Sequence, residues 1–156
     1  MFHALMHHPF MERLRKPCYG DAAKLIPRLT VGGIFARYGY MKFTMGIGGV
    51  AGYFGKLGIP APGVLAPFVA GLELFGGILL MLGFATRLIG FLLSATMLVA
   101  IGTAFGWKFS KAELELLLGV VALSLSLSDG GAYSLDAWLL ARSRKAHASA
   151  LPAVKA

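Results

Sequence analysis

The stretch AGLELFGGILLMLG, from Ala70 to Gly83, decides the fold. It is apolar except for one carboxylate, Glu73. It belongs to a run that begins after the cluster Pro60, Pro62, Pro67 and ends near Phe84. A hydrocarbon core of roughly 30 Å takes about 20 helical residues to cross, and this run supplies them. Helical spacing puts Ala70, Glu73, Gly77 and Leu80 on one side, with Gly76 flanking it. Small residues beside a carboxylate mark that side as the one that meets another helix.

Three further apolar runs surround this one: about Leu29 to Gly49–Gly52, about Leu88 to Phe105, and about Ala112 to Ser128. The first link, Tyr53 to Ala66, is rich in glycine and proline and is not expected to be helical throughout. The other two, Ala85–Arg87 and Gly106–Lys111, are short, which makes successive helices antiparallel neighbours. The expected fold is therefore all-α: a four-helix transmembrane bundle, up-down-up-down. Residues 1–28 form a basic lead that Pro17 is expected to interrupt, and residues 29–128 form the bundle. Residues 129–156 form a glycine turn, a short interfacial helix and a basic tail.

Composition agrees. Of 156 residues, 57% are hydrophobic and 14% charged, and the mean hydropathy is +0.72. A soluble domain carries about 45–50% apolar and about 25% charged residues. A single cysteine, Cys18, excludes a disulfide scaffold and gives dithiol exchange no resolving thiol. The net charge of +8 sits at the ends of the apolar runs, the pattern that orients membrane proteins, so nucleic acid is not the expected partner. Arg13, Arg15, Lys16, Lys24 and Arg28 precede the first run, Arg87 lies in the middle turn, and Arg142, Arg144, Lys145 and Lys155 close the chain. Lys56, Lys108 and Lys111 fall on the other side. This asymmetry puts both termini in the cytoplasm and the protein in the bacterial cytoplasmic (inner) membrane.

Charges inside the runs carry the most information, because each costs roughly 2.5–3.5 kcal/mol or more if it faces lipid at the bilayer centre. Arg37 and Lys42 lie on the first span and Glu73 on the second. At about 1.5 Å per residue, Lys42 and Glu73 come level on antiparallel helices, and Arg37 is also within reach. The group serves either as an ion pair fixing helix register or as a polar site for a quinone headgroup or a proton. Glu113 and Glu115 open the fourth run, where a carboxylate suits the helix dipole; the alternative for them, Glu113 among the candidates, is a proton acceptor at the mouth of the bundle. Arg87 is a topology anchor or a headgroup contact. Gly48–Gly52 and Gly102–Gly106 have the spacing of close helix packing, and Tyr53, Trp107 and Trp138 read as interfacial belt residues.

Beyond the fourth run, Gly130 and Gly131 permit a sharp helix end. Ser134 is placed to cap a helix from Leu135 to Arg144, with Asp136 in its favoured first turn. His3, His7 and His8 fall in the lead, and no spacing in the chain defines a metal site or a self-sufficient catalytic motif.

Three of these stretches together resemble the DoxX family of small four-helix membrane proteins. The first is Phe35-Ala36-Arg37-Tyr38-Gly39-Tyr40-Met41-Lys42-Phe43. The second is the deciding stretch through Gly83, continued by Thr86-Arg87 and marked by Glu73, Gly76 and Gly77. The third is Gly130-Gly131-Ala132-Tyr133-Ser134-Leu135-Asp136. The resemblance covers about residues 28–140 and implies the fold and a quinone-linked redox setting. Tyr38 stands where members of the family often have histidine, and no histidine lies in any span, so haem ligation is not expected. The expected function is a membrane subunit of a redox complex, offering Lys42 and Glu73 to a quinone, with no covalent cofactor. It would sit in the lipid bilayer beside a protein partner that holds the redox centre. The alternative is a non-catalytic scaffold or assembly subunit.

Overall fold

The computed structural model describes residues 17–128, 131 and 133–150, with side chains placed for 22–128, 131 and 133–143. The expectations for His3, His7, His8, Arg13, Arg15, Lys16, Gly130 and Lys155, and for the side chains of Cys18, Arg144 and Lys145, lie outside the described residues. Among the described residues the fold is all-helical. The helices are α1 (Pro17–Thr44), α2 (Ile47–Lys56), α3 (Pro62–Leu82), α4 (Thr86–Ala104), α5 (Glu113–Leu127) and α6 (Leu135–Ala150), with one 3-10 turn at Phe109–Lys111. Two of them, α3 and α4, are long and apolar enough to cross a membrane.

Pro17 stands first in α1, where the first turn needs no N–H from that residue; the stretch ahead of it, which it was expected to interrupt, lies outside the described residues. Two boundaries differ from expectation, both for reasons of backbone chemistry. The first helix ends at Thr44 rather than near Gly49. Gly46, at φ +89°, breaks it, and α2 starts afresh at Ile47. Likewise α3 begins at Pro62, ahead of Pro67, which lies inside the helix.

Helix α1 runs antiparallel to α3 at close range. A Cβ added to Gly32 would lie 2.7 Å from the Gly77 carbonyl oxygen, and one on Gly39 would collide with the backbone of Ala70 and Leu74. These glycines let two backbones touch, the geometry that holds helices together where hydrophobic burial gives no drive. Helices α4 and α5 repeat the arrangement, with Gly90 against Ala122 and Ser126, and Gly119 against Met97. Gly76 meets Ile89 and Leu93 of α4, α1 also touches α5, and α2 packs on α3. Contacts thus run α1–α3–α4–α5 and back to α1. Phe35, Leu80, Leu93, Met97, Leu118 and Ala122 form the shared core. The outer faces expose Phe75, Leu88, Phe91, Leu117 and Val120, an apolar surface far too large for water.

The end where α3 turns into α4 is closed by a polar latch. Both Asp136 carboxylate oxygens accept from backbone N–H groups, Ala85 at 2.9 Å and Thr86 at 3.1 Å, and the Asp136 N–H donates to the Gly83 carbonyl at 3.1 Å. Ala85 is left-handed at φ 47°, a conformation that costs an L-residue roughly 1–2 kcal/mol and that these bonds help to hold. Asp136 was expected to serve the first turn of its own helix; the structure has it cap α4 as well. Arg28, expected as a flanking charge, is buried and donates from Nη2 to the Tyr133 carbonyl at 2.7 Å. Gly83 has φ +70°, and a Cβ there would come within 2.7 Å of the Arg28 guanidinium and of Ser134 Cβ. Ser134 caps α6, accepting from Ala137 N–H at 3.1 Å and donating to the Gly131 carbonyl at 2.7 Å. Helix α6 extends to Ala150, beyond the expected Arg144. On it the Arg142 guanidinium lies 5.3 Å from the Trp138 ring centre.

Three outcomes follow for stability in detergent or bilayer. Gly39→Leu drives a side chain into the α3 backbone and is expected to destabilise by at least about 1–3 kcal/mol. Gly49→Ala, where nothing lies within 4 Å, is expected to leave stability unchanged or raise it by up to about 1 kcal/mol; thermal unfolding of the purified variants checks both. Asp136→Ala removes the cap on α4 and is expected to cost about 0.5–2 kcal/mol, read as faster hydrogen exchange at Ala85 and Thr86.

Candidate functional site

At the opposite, Gly46 end of the molecule the interior opens. Lys42 sits in the last turn of α1, where a cation is favoured by the helix dipole. Seven residues earlier on the same face, Phe35 is buried in the core, so the α1 stripe that contacts α3 delivers the ammonium to that interface. Glu73 comes up from α3 between Ala70 and Gly77 and is buried at 2% exposure. The Lys42 ammonium pairs with the Glu73 Oε2. Burying a carboxylate without a counter-charge is prohibitive; the neighbouring small residues let α1 come close enough to provide one.

The pair is asymmetric. Glu73 exposes 3% of its side chain and Lys42 exposes 25%. The accessible member is therefore the cation, and an ammonium has three N–H donors, of which the carboxylate occupies one. Both residues line an open cavity of about 450 Å³ walled by α1 to α5. Its walls are mostly apolar and aromatic, among them Phe54, Phe68, Leu72, Met97 and Phe105. A few hydroxyls interrupt them: Tyr38, Tyr53, Thr96 and Thr103. The size is that of a small-molecule site, and an apolar chamber with a few convergent polar groups is the usual form of one.

The structure separates the other candidates. Arg37 was expected to face the interior, to snorkel or to pair; it is exposed on the far side of α1 and not at the Glu73 site, because it lies two residues from Phe35 and thus about 200° around the helix. Glu113 is exposed at the start of α5, whereas Glu115 lines the cavity. Gly76 and Gly77 act by close packing, and Arg87 lies on the surface at the latched end. Gly131, Tyr133, Ser134 and Asp136 form the latch, away from the cavity. Sequence reasoning put Glu115 at the mouth of the bundle without assigning it to a cavity wall, and it missed Tyr53 as a cavity residue. For Glu115 a signal was present: Glu115, Leu118, Ala122 and Leu125 follow helical spacing, and the last three are buried. For Tyr53 there was none, since its position depends on α2 folding back over the opening. Among the described residues no group of three or more His, Cys, Asp or Glu side chains is placed to hold a metal ion.

Comparison with known proteins places this geometry. The sequence profile of the DoxX family matches residues 23–106, a range that holds Arg37, Lys42 and Glu73, all of α2 and α3, and most of the cavity wall. The chain is also similar to a protein of Bacillus subtilis (strain 168) described as "Putative oxidoreductase CatD". The two are 32% identical over 132 residues, covering 83% of this chain and 96% of the relative. No solved structure matches the chain at a significant level. The family profile spans more than half of the sequence: the chain belongs to the DoxX family.

Proposed function

We propose that this protein is the membrane subunit of a quinone-linked redox complex, and that the cavity at the Gly46 end receives the quinone headgroup. The observation that carries the reading is Lys42. It is held by a buried carboxylate, yet it keeps free donor capacity on the wall of an otherwise apolar chamber of about 450 Å³. A quinone ring is flat, apolar and edged by carbonyl oxygens, which an ammonium donor satisfies and aromatic walls cover. When bound, a quinone supplies two-electron, two-proton chemistry. The residues of this chain bind and orient it: Lys42 donates to a ring oxygen, Glu73 fixes the ammonium, and Phe68, Leu72 and Met97 exclude water. Glu115, at the cavity edge near the start of α5, is the nearest candidate for passing protons to the aqueous phase. Electrons come from a redox centre in a partner protein. The description of the Bacillus relative as an oxidoreductase supports a redox setting.

In this reading α1, α3, α4 and α5 cross the membrane up-down-up-down as a four-helix bundle. The latched end and both termini are cytoplasmic, and α6 lies along the inner interface of the bacterial cytoplasmic membrane. Basic residues favour that orientation, with Lys24, Arg28, Arg87 and Arg142 at the latched end against Lys56, Lys108 and Lys111 at the cavity end. Leu135, Trp138, Leu139 and Leu140 of α6 are exposed, as a helix lying on lipid requires. A scaffold role is the second reading, and the mutual neutralisation of Lys42 and Glu73 favours it.

Purified protein in lipid nanodiscs is expected to bind a short-chain benzoquinone or naphthoquinone. Lys42→Met removes a charged hydrogen bond of about 1.5–3 kcal/mol and is expected to weaken binding at least about tenfold. Ala100→Trp fills the cavity while leaving the ion pair in place, and is expected to abolish binding. Equilibrium dialysis measures both. Unchanged affinity in both variants contradicts the quinone reading and leaves the scaffold role.

A further inference from the structure

Among the described residues Arg37 has no counter-charge. The face of α1 that meets α3 carries Arg28, Gly32, Phe35, Gly39 and Lys42. The face turned 180° away carries Ile26, Thr30, Gly33, Arg37, Tyr40 and Thr44. On this outer face Ile26 and Tyr40 are 67% and 61% exposed. Arg37 is exposed as well and makes no hydrogen bond or ion pair with any described residue. It lies nine residues from Arg28 at the latched end and nine from Gly46, where α1 breaks. Either distance is roughly 14 Å along the helix, longer than an extended arginine side chain. With α1 crossing the membrane, the guanidinium is therefore at mid-depth, out of reach of headgroups on either side, where facing lipid is costly.

We propose that the outer face of α1 docks a transmembrane helix of a second protein, and that this helix carries a carboxylate level with Arg37. Charge complementarity selects the occupant. Arg37 requires an anion in low dielectric, its planar fork matches a carboxylate in two-point contact, and Tyr40, one turn on, offers a phenol on the same face. The described residues of a second copy of this chain do not provide the anion. Among the described residues, Asp21, Glu113, Glu115 and Asp136 lie in the first turns of their helices or just beyond. Glu73 alone lies mid-helix, and it is buried against Lys42. A two-fold dimer through this face would moreover bring one Arg37 towards the other. The inference rests on the membrane-spanning reading of α1 and not on the ligand in the cavity.

The test places the photo-crosslinker p-benzoylphenylalanine at Tyr40 of the full chain in its native membranes, with a control at Phe75 on the outer face of α3, which is 62% exposed. The expected result is an adduct from Tyr40, and not from Phe75, with one protein whose crosslinked apolar segment contains an aspartate or glutamate. Arg37→Glu is expected to lower its yield at least about tenfold, Arg37→Lys to lower it less, since the charge stays while the two-point contact is lost, and exchange of the partner's acid for arginine to restore it with Arg37→Glu. If Arg37→Glu fails to accumulate in the membrane, Arg37→Gln is read in its place, with the same loss expected. Adducts to lipid only, to a second copy, to a segment without an acid, or at unchanged yield in the variants overturn the proposal. Quinone binding measured on the same Arg37 variants is expected to be retained, so loss of the adduct and loss of the ligand are read separately.

Discussion

A carboxylate inside an apolar helix needs a cation at its own depth, and the close approach of α1 to α3 exists to provide one. Removing one partner of a buried ion pair typically costs 3–5 kcal/mol, because the other is left charged and unpaired. That penalty gives the Lys42–Glu73 pair authority over register. A slip of one residue between α1 and α3 would separate the charges and drive Gly39 away from the Ala70 and Leu74 backbone it fits. Glycines at Gly32, Gly39 and Gly77 permit the contact; the charges decide which contact it is.

The two ends of the molecule divide the work. At one end Arg28, Gly83, Ser134 and Asp136 join three helices and the chain leading to α6 by directed hydrogen bonds. At the other end α1 breaks at Gly46, α2 folds over the opening, and a chamber remains. A closed end with satisfied polar groups suits an anchor. An open end with an accessible ammonium and apolar walls suits a ligand. The same asymmetry appears in the glycines: those in the α1–α3 contact are packed to the limit, whereas Gly46, Gly48, Gly49 and Gly52 have nothing within 4 Å.

Much of this was legible in the sequence, and the reason is periodicity. The apolar runs located α3, α4 and α5 to within a few residues. Depth counting at a fixed rise per residue brought Lys42 level with Glu73. The same counting failed for Arg37, since depth alone does not say which way a side chain points; the two-residue offset from Phe35 turns it outward. Boundaries were harder. Gly46 is one glycine among many in the sequence, and only its positive φ marks the break. The latch was not legible, because Asp136 reaches across some 50 residues to Ala85 and Thr86, and local spacing carries no record of that pairing. The cavity was equally hidden, since it depends on α2 returning over the helix ends.

A double-mutant cycle on Lys42→Met and Glu73→Gln, measured as unfolding free energy in lipid or mild detergent, reads the coupling between the two charges. Each single variant is expected to be destabilised by about 3–5 kcal/mol, and the double variant to recover most of the loss. The coupling should then be well above the roughly 0.5 kcal/mol seen for independent sites. Additive losses, or single variants as stable as the parent, would mean that the two charges do not hold α1 to α3.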